Sequence, residues 1–149
     1  MRVALYQPDI PQNTGAIIRI CACFHLPLDI IEPCGFILDD QKLKRSAMDY
    51  GPLVEIKRHI SWGSFLDDKN QNSRLILLTT KGNNPLNKFE FQPDDILLFG
   101  RESGGVPKEV AELAAARVFI PMPGNTRSFN LAVSVGITSF QALSSINGL

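Results

Sequence analysis

Six short apolar runs, at 2–6, 28–31, 54–57, 75–79, 96–99 and 118–120, alternate along this chain with longer stretches of helical character. Strands that each wait for a helix before the next strand predict an α/β domain, a mainly parallel sheet with flanking helices. Pro11 and Asn13 open the first helix, Ser61 caps a short one, Pro107 starts another, and 130–146 forms the last. The stretch 81–93 reads as loop. With 149 residues and 44% hydrophobic content the sequence suits one domain, 1–149, with a sizeable core. No repeat, low-complexity tract or linker divides it.

Fifteen basic and fifteen acidic side chains cancel, so no overall field draws the chain to a polyanion or a membrane. Contact with nucleic acid must then use local clusters: Lys42, Lys44 and Arg45, or Lys57 and Arg58, with Lys81, Arg101 and Arg127 as single cations. Each pair also fits an ordinary solvated face. Cys21, Cys23 and Cys34 are odd in number and lack Cys-x-x-Cys spacing, and no targeting segment precedes the first strand; reduced thiols in a cytoplasm are expected. His25 and His59 are too few and too far apart for a zinc site, and no metal is expected.

From Ser128 through Leu149 the sequence contains no charge. Hydroxyl and amide side chains interrupt its apolar run, which excludes a membrane span. A soluble helix without a charged face is usually covered on more than one side, by its own sheet and then by a second subunit or by the rest of the monomer. Gly136, costly in mid-helix, suggests close approach by a neighbouring backbone.

Three apolar runs end in glycine-bearing turns: Leu78-Thr79-Thr80-Lys81-Gly82, Phe99-Gly100-Arg101-Glu102-Ser103-Gly104-Gly105, and Ile120-Pro121-Met122-Pro123-Gly124. Loops beyond the carboxyl ends of parallel strands are where open α/β sheets bind ligands. Apolar walls with main-chain donors suit a purine and a neutral ribose, although tight turns alone also account for each glycine. Neither Gly-x-x-x-x-Gly-Lys-Ser/Thr nor Gly-x-Gly-x-x-Gly occurs, and Ser103 is misplaced for a Gly-x-Ser-x-Gly elbow. On the first helix, Ile17, Ile20, Cys21 and Phe24 form the predicted buried face, with Gly15 and Arg19 opposite them. Helix geometry by itself makes Arg19 a solvent-facing residue.

In this order, Pro11-Gln12-Asn13-Thr14-Gly15-Ala16-Ile17-Ile18-Arg19, Leu98-Phe99-Gly100-Arg101-Glu102-Ser103-Gly104-Gly105-Val106-Pro107, and Ile120-Pro121-Met122 followed by Arg127-Ser128-Phe129-Asn130-Leu131-Ala132-Val133 resemble the three motifs of the SpoU class of SPOUT RNA methyltransferases. The nearest likeness is to small bacterial enzymes acting on the 2′-hydroxyl of tRNA nucleotide 34, cytidine or modified uridine. Likeness continues through Asp39-Asp40, Lys44-Arg45 and Asp49-Tyr50 and covers essentially the whole chain.

The resemblance implies a C-terminal deep trefoil knot, a homodimer packed through the last helix, and the anticodon stem-loop of tRNA as partner. S-adenosylmethionine would be the methyl donor, held by Leu78, Gly100, Glu102, Ile120, Met122, Ser128 and Leu131. Catalysis would fall to Arg19, Asn13, Ser128 and Asn130. Because arginine stays protonated, the role expected of Arg19 is a two-pronged contact to a phosphate beside the target ribose. Many relatives have tyrosine and glutamate at the positions of Phe140 and Gln141. Two other readings remain at this point: a ribose methyltransferase for ribosomal RNA or another tRNA position, and a nucleotide- or RNA-binding domain without turnover.

Overall fold

The structure, a computed structural model, describes residues 1–39, 41, 48–124, 126–147 and 149. Asp40, Lys42, Lys44 and Arg45, named above, lie outside the described residues. Among those described, seven strands form one sheet: β1 (Arg2–Tyr6), β2 (Leu28–Ile31), β3 (Ile56–His59), β4 (Leu75–Leu78), β5 (Asn84–Pro85), β6 (Ile96–Phe99) and β7 (Ala116–Phe119). Their order is β3-β2-β1-β6-β4-β7-β5, and every pairing is parallel. Four α-helices stand out among the described residues: α1 (Pro11–Phe24), α2 (Trp62–Asp68), α3 (Lys108–Glu112) and α4 (Leu131–Asn147).

A parallel sheet needs cover on both faces, and alternate residues of each strand supply the two contacts. Val3, Leu5, Leu28, Ile30, Leu97 and Phe99 pack against α1 and α4, where they meet Ile17, Ile18, Cys21, Val135 and Leu143. Ala4, Tyr6, Ile31, Leu75, Leu77, Ile96 and Leu98 face α2 and α3 through Phe65 and Val110. Each fully buried Leu, Ile or Phe contributes about 1.5–3 kcal/mol, which makes the central strands β1 and β6 the anchor of both cores.

Three expectations from sequence shift. The third strand runs 56–59 rather than 54–57, because a 3-10 helix over Met48–Leu53 occupies the approach and His59 is drawn inward to Asp29 at 2.8 Å. The last strand is 116–119 rather than 118–120, since α3 is short and Ala115 N–H already bonds the Leu75 carbonyl. The 81–93 loop contains the two-residue β5, paired to β7, and a 3-10 turn over Leu86–Lys88. Other signals hold: the Ser61 hydroxyl accepts from Ser64 N–H at 3.1 Å to cap α2, and Pro107 is the residue at which α3 begins.

On α1 the buried sector is wider than one helical face. It takes in Asn13, Thr14, Gly15, Ile17, Ile18, Cys21 and Ala22, because the sheet covers one side and α4 another. Gly15 is therefore buried rather than opposite the core, while Arg19 faces outward as expected. On α4 the inner face carries Ala132, Val135, Thr138, Ser139, Ala142 and Leu143, and the outer face leaves Val133, Ile137 and Phe140 exposed, with Phe129 just before it. Among the described residues Gly136 has no close backbone neighbour outside its own helix; a Cβ there would meet Ile20 Cδ1 at an ordinary 3.7 Å. No helix among the described residues is long and apolar enough to cross a membrane. Cys21 is buried and Cys34 half-buried, and burial pushes their thiols up to about 12 and about 11.

Two polar anchors tie neighbouring strands together. Asp29, buried, holds Arg2 as well as His59. Fully buried Asp95 accepts from Arg74 Nε at 2.8 Å and Nη2 at 2.7 Å and from Gln92 N–H at 2.8 Å, joining β4 to β6. Asp95→Ala strands the Arg74 guanidinium and should lower stability by about 3 kcal/mol, read from urea unfolding. Gly100 lies against Gly105 across a two-way bridge from Arg101 N–H (3.0 Å) and to Arg101 O (2.9 Å), and a Cβ on Gly100 would stand 2.5 Å from the Gly105 carbonyl carbon. Backbone cannot yield as a side-chain tip does, so Gly100→Ala should lower stability by about 2 kcal/mol in the same measurement.

Candidate active site

Successive strands leave β1 in one direction and the remaining strands lie beyond β6 in the other, so the order reverses between β1 and β6. Crevices at such a reversal, past the carboxyl ends of the strands, are the binding places of open α/β sheets. Here the turns after β4, β6 and β7, with the first turns of α1 and α4, enclose a cavity of about 790 Å³. That is ample for a nucleoside-sized ligand. The cavity straddles the carboxyl ends of the strands, since Leu77 and Leu78, which point to opposite faces of the sheet, both line it.

All seven positions expected around the donor (Leu78, Gly100, Glu102, Ile120, Met122, Ser128 and Leu131) line this cavity, and so do Asn13 and Asn130. Arg19 does not. Its guanidinium carbon lies 4.8 Å from the centre of the Tyr50 ring, on the outward flank of α1. A ring against the flat face of a guanidinium leaves the N–H donors at its edge free.

One hydrogen-bond chain joins the three motif segments, 11–19, 98–107 and 120–133. Glu102 accepts from the backbone N–H groups of Asp9 (2.7 Å) and Ile10 (3.3 Å) and from Asn13 Nδ2 (3.1 Å). Asn13 Oδ1 accepts from Asn130 Nδ2 at 2.9 Å, and Asn130 Oδ1 in turn accepts from the N–H groups of Ala132 (2.8 Å) and Val133 (3.3 Å). The chain therefore ends in two helix N-termini. Glu102 supplies to α1 the cap that its own N-cap residue, Ile10, has no side-chain oxygen to provide, and negative charge there is favoured by the helix dipole.

A second tie runs beside it. Asp9 accepts from the Ser103 hydroxyl (2.5 Å) and the Ser103 N–H (3.0 Å). The hydroxyl bond above all holds the Asp9 carboxyl below the usual carboxylate range; partial burial opposes this, and the Ser103 N–H and nearby Arg101 add to the lowering. Arg101 donates to Gln7 Oε1 and lies over the Tyr6 ring, 5.5 Å from its centre. Gln7 itself has φ 47°, a left-handed turn that carries the chain from β1 across to α1.

Of the cations singled out in the sequence, Lys57 and Arg58 are paired with Asp68 (2.7 Å) and Glu32 (2.9 Å), and Arg127 is exposed and outside the cavity lining. Lys81 and Arg101 do line it. Two more, Lys108 and Arg117, reach the cavity from α3 and β7 without any local signal in the sequence; they are single cations, and only the strand order places them together. Among the described residues no group of three or more His, Cys, Asp or Glu side chains is placed to hold a metal ion.

Residues 1–140 match the SpoU rRNA Methylase family. Over 148 residues, 99% of this chain and 92% of the relative, the sequence is 46% identical to a tRNA (cytidine(34)-2′-O)-methyltransferase of Beijerinckia indica subsp. indica. A solved structure described as giving insight into the 2-OH methylation of C/U34 on tRNA superimposes with a TM-score of 0.92 at 42% identity, over 99% of this chain and 97% of that one. The SpoU methyltransferase AviRb from Streptomyces viridochromogenes, crystallised in complex with the cofactor AdoMet, has the same fold, with a TM-score of 0.84 at 24% identity over 96% of this chain and 56% of its own. A family match over nearly the whole chain, with a relative of such identity matched almost end to end, makes this chain a member of the SpoU methylase family.

Proposed function

We propose that this protein transfers a methyl group from S-adenosylmethionine to the ribose 2′-oxygen of tRNA wobble nucleotide 34, cytidine or a modified uridine, as a homodimer in the cytoplasm. The observation that carries this reading is the cavity at the sheet reversal, lined by every position expected around the donor and tied to α1 through Glu102, Asn13 and Asn130. The nucleotide is taken from the activity of the relatives described above. The reading also includes the family's topology, with the C-terminal part of the domain threaded as a deep trefoil knot.

The residues present fit the donor. Leu78, Ile120, Met122 and Leu131 offer apolar walls to an adenine ring, Ser128 and the main chain of the turns offer polar groups to a ribose, and Gly105, at φ +65°, has open space where a side chain would otherwise project. When bound, S-adenosylmethionine supplies an electrophilic methyl carbon on a positive sulfonium. Asn13 and Asn130 hold the first turns of α1 and α4 in register around the cavity, and Glu102 fixes the β6 turn to both. Glu102 has both oxygens engaged within the chain, which suits it to hold the wall in shape.

Arg19 stands outside the cavity, a position that suits an anchor for the RNA strand rather than a contact to the donor. Its free edge pairs with a phosphate beside the target ribose and sets the 2′-oxygen in line with the methyl group, and Tyr50 keeps the guanidinium plane from swinging. The outer face of α4, with Val133, Ile137 and Phe140 exposed and no charge from 128 to 149, is covered by the same face of a second copy.

The deciding experiment incubates the protein with labelled S-adenosylmethionine and separated tRNA and ribosomal RNA, then maps the methylated nucleotide. Label at position 34 of tRNA is expected, whereas label confined to ribosomal RNA overturns the substrate. Arg19→Lys keeps the charge but loses the fork, and should lower kcat/KM about 100-fold; near-normal turnover rejects its role. Val133→Asp should convert the dimer to a monomer or an insoluble chain in light scattering, and a soluble active dimer would show that α4 is not the interface.

A further inference from the structure

Four cationic side chains, Lys81, Arg101, Lys108 and Arg117, line the cavity against one carboxylate, Glu102. Glu102 is committed to two backbone N–H groups and Asn13 and so offers little to the cations. Their own partners leave their charge largely uncompensated. No hydrogen bond or ion pair reaches the Lys81 ammonium among the described residues. Lys108 has only a loose 3.7 Å approach to Glu112 with both side chains well exposed, an ion pair that water screens. Arg117 donates from Nε to the Ala111 carbonyl oxygen at 3.3 Å, and a neutral acceptor leaves its charge intact. Arg101 is held in place by Gln7 and the Tyr6 ring.

Three of these four are brought to one wall by the fold. Gly82, the residue after Lys81, sits so close to β7 that a Cβ would stand 3.0 Å from the Arg117 carbonyl oxygen, and Asn83 N–H bonds that same oxygen. Arg117 reaches α3 at Ala111, one turn along from Lys108, and Ala111 also lines the cavity. Flexible cations converging on a cavity wall whose lining there holds no acid form a site for an oxyanion.

We propose that Lys81, Lys108 and Arg117 form a subsite for the backbone phosphates of the RNA strand that enters the cavity, an assignment that rests on the RNA substrate proposed above. The methyl donor also has an oxyanion, its carboxylate, but with a sulfonium and an ammonium it is a cation overall, and a wall of uncompensated positive charge disfavours it. A phosphate chain instead gains by shedding its counterions onto such a wall. Two lysines among the three suit contacts that follow a backbone without reading bases.

The test uses the whole protein with Lys81→Gln, Lys108→Gln, the double variant, and Arg117→Gln beside Arg117→Lys, with Lys69→Gln as a control for charge elsewhere. Binding of an anticodon stem-loop RNA is measured over a range of salt, and binding of S-adenosylhomocysteine and S-adenosylmethionine by calorimetry. The double variant should bind RNA about tenfold more weakly, and its slope of log affinity on log salt should shrink by about 1.4, roughly 0.7 for each phosphate no longer neutralised. Arg117→Lys should retain most of the RNA affinity that Arg117→Gln loses, donor affinity should hold throughout, and Lys69→Gln should match the parent. An unchanged salt slope overturns the subsite, and so does a loss of donor affinity with RNA binding intact, which would assign the wall to the carboxylate. Because binding is read apart from methylation, a label mapped to some other nucleotide would reject the substrate at position 34 and leave this result standing.

Discussion

The arrangement of the site depends on one carboxylate. Glu102, in the turn after β6, binds the amino end of α1 and the side chain of Asn13, and Asn13 passes the connection to Asn130 at the start of α4. Residues 89 and 117 positions apart in sequence thus share one chain of donors and acceptors. Hydrogen bonds to a charged group contribute about 1.5–3 kcal/mol each, more than neutral pairs, and partial withdrawal from water strengthens them. Asn13 is nearly buried, so an unmade bond there would be costly. The chain is therefore a requirement on the geometry: the β6 turn, α1 and α4 keep their positions together or lose them together.

The sheet provides the rigid base on which this works. Its central strands are buried on both faces, and their carboxyl ends reach the same level because β1, β4 and β6 pair residue for residue in parallel register. The turns that follow inherit that alignment. Short bridges such as Arg101 with Gly105 hold tight the turns that wall the cavity. Substitution of side chains in such a wall can retune the cavity while the backbone cradle persists.

Much of the fold was legible in the sequence because its signals are local. Apolar runs located β1, β2, β4 and β6, and Ser61, Pro107 and Asn130 marked helix starts that the structure bears out. Strand limits near His59 and Ala116 were not legible, since a buried Asp29 and the length of α3 decide them, and both are tertiary facts. Periodicity places Gly15 opposite the core, whereas a helix covered by both a sheet and another helix has a broader buried sector that takes it in. The donor-side positions could be named through ordered motifs. The roles of Glu102 as a remote helix cap and of Lys108 and Arg117 as cavity cations needed the strand order, which no local pattern carries.

A formally neutral chain that concentrates four cations and one acid around a single opening must be net negative over the rest of its sequence. Most of the molecule then has little attraction for a nucleic acid, and the opening has a strong local one. A polyanion drifting past would be turned toward that opening before any contact forms, so the uneven distribution acts on the direction of encounter, while the balance of total charge guards against idle sticking to RNA at large.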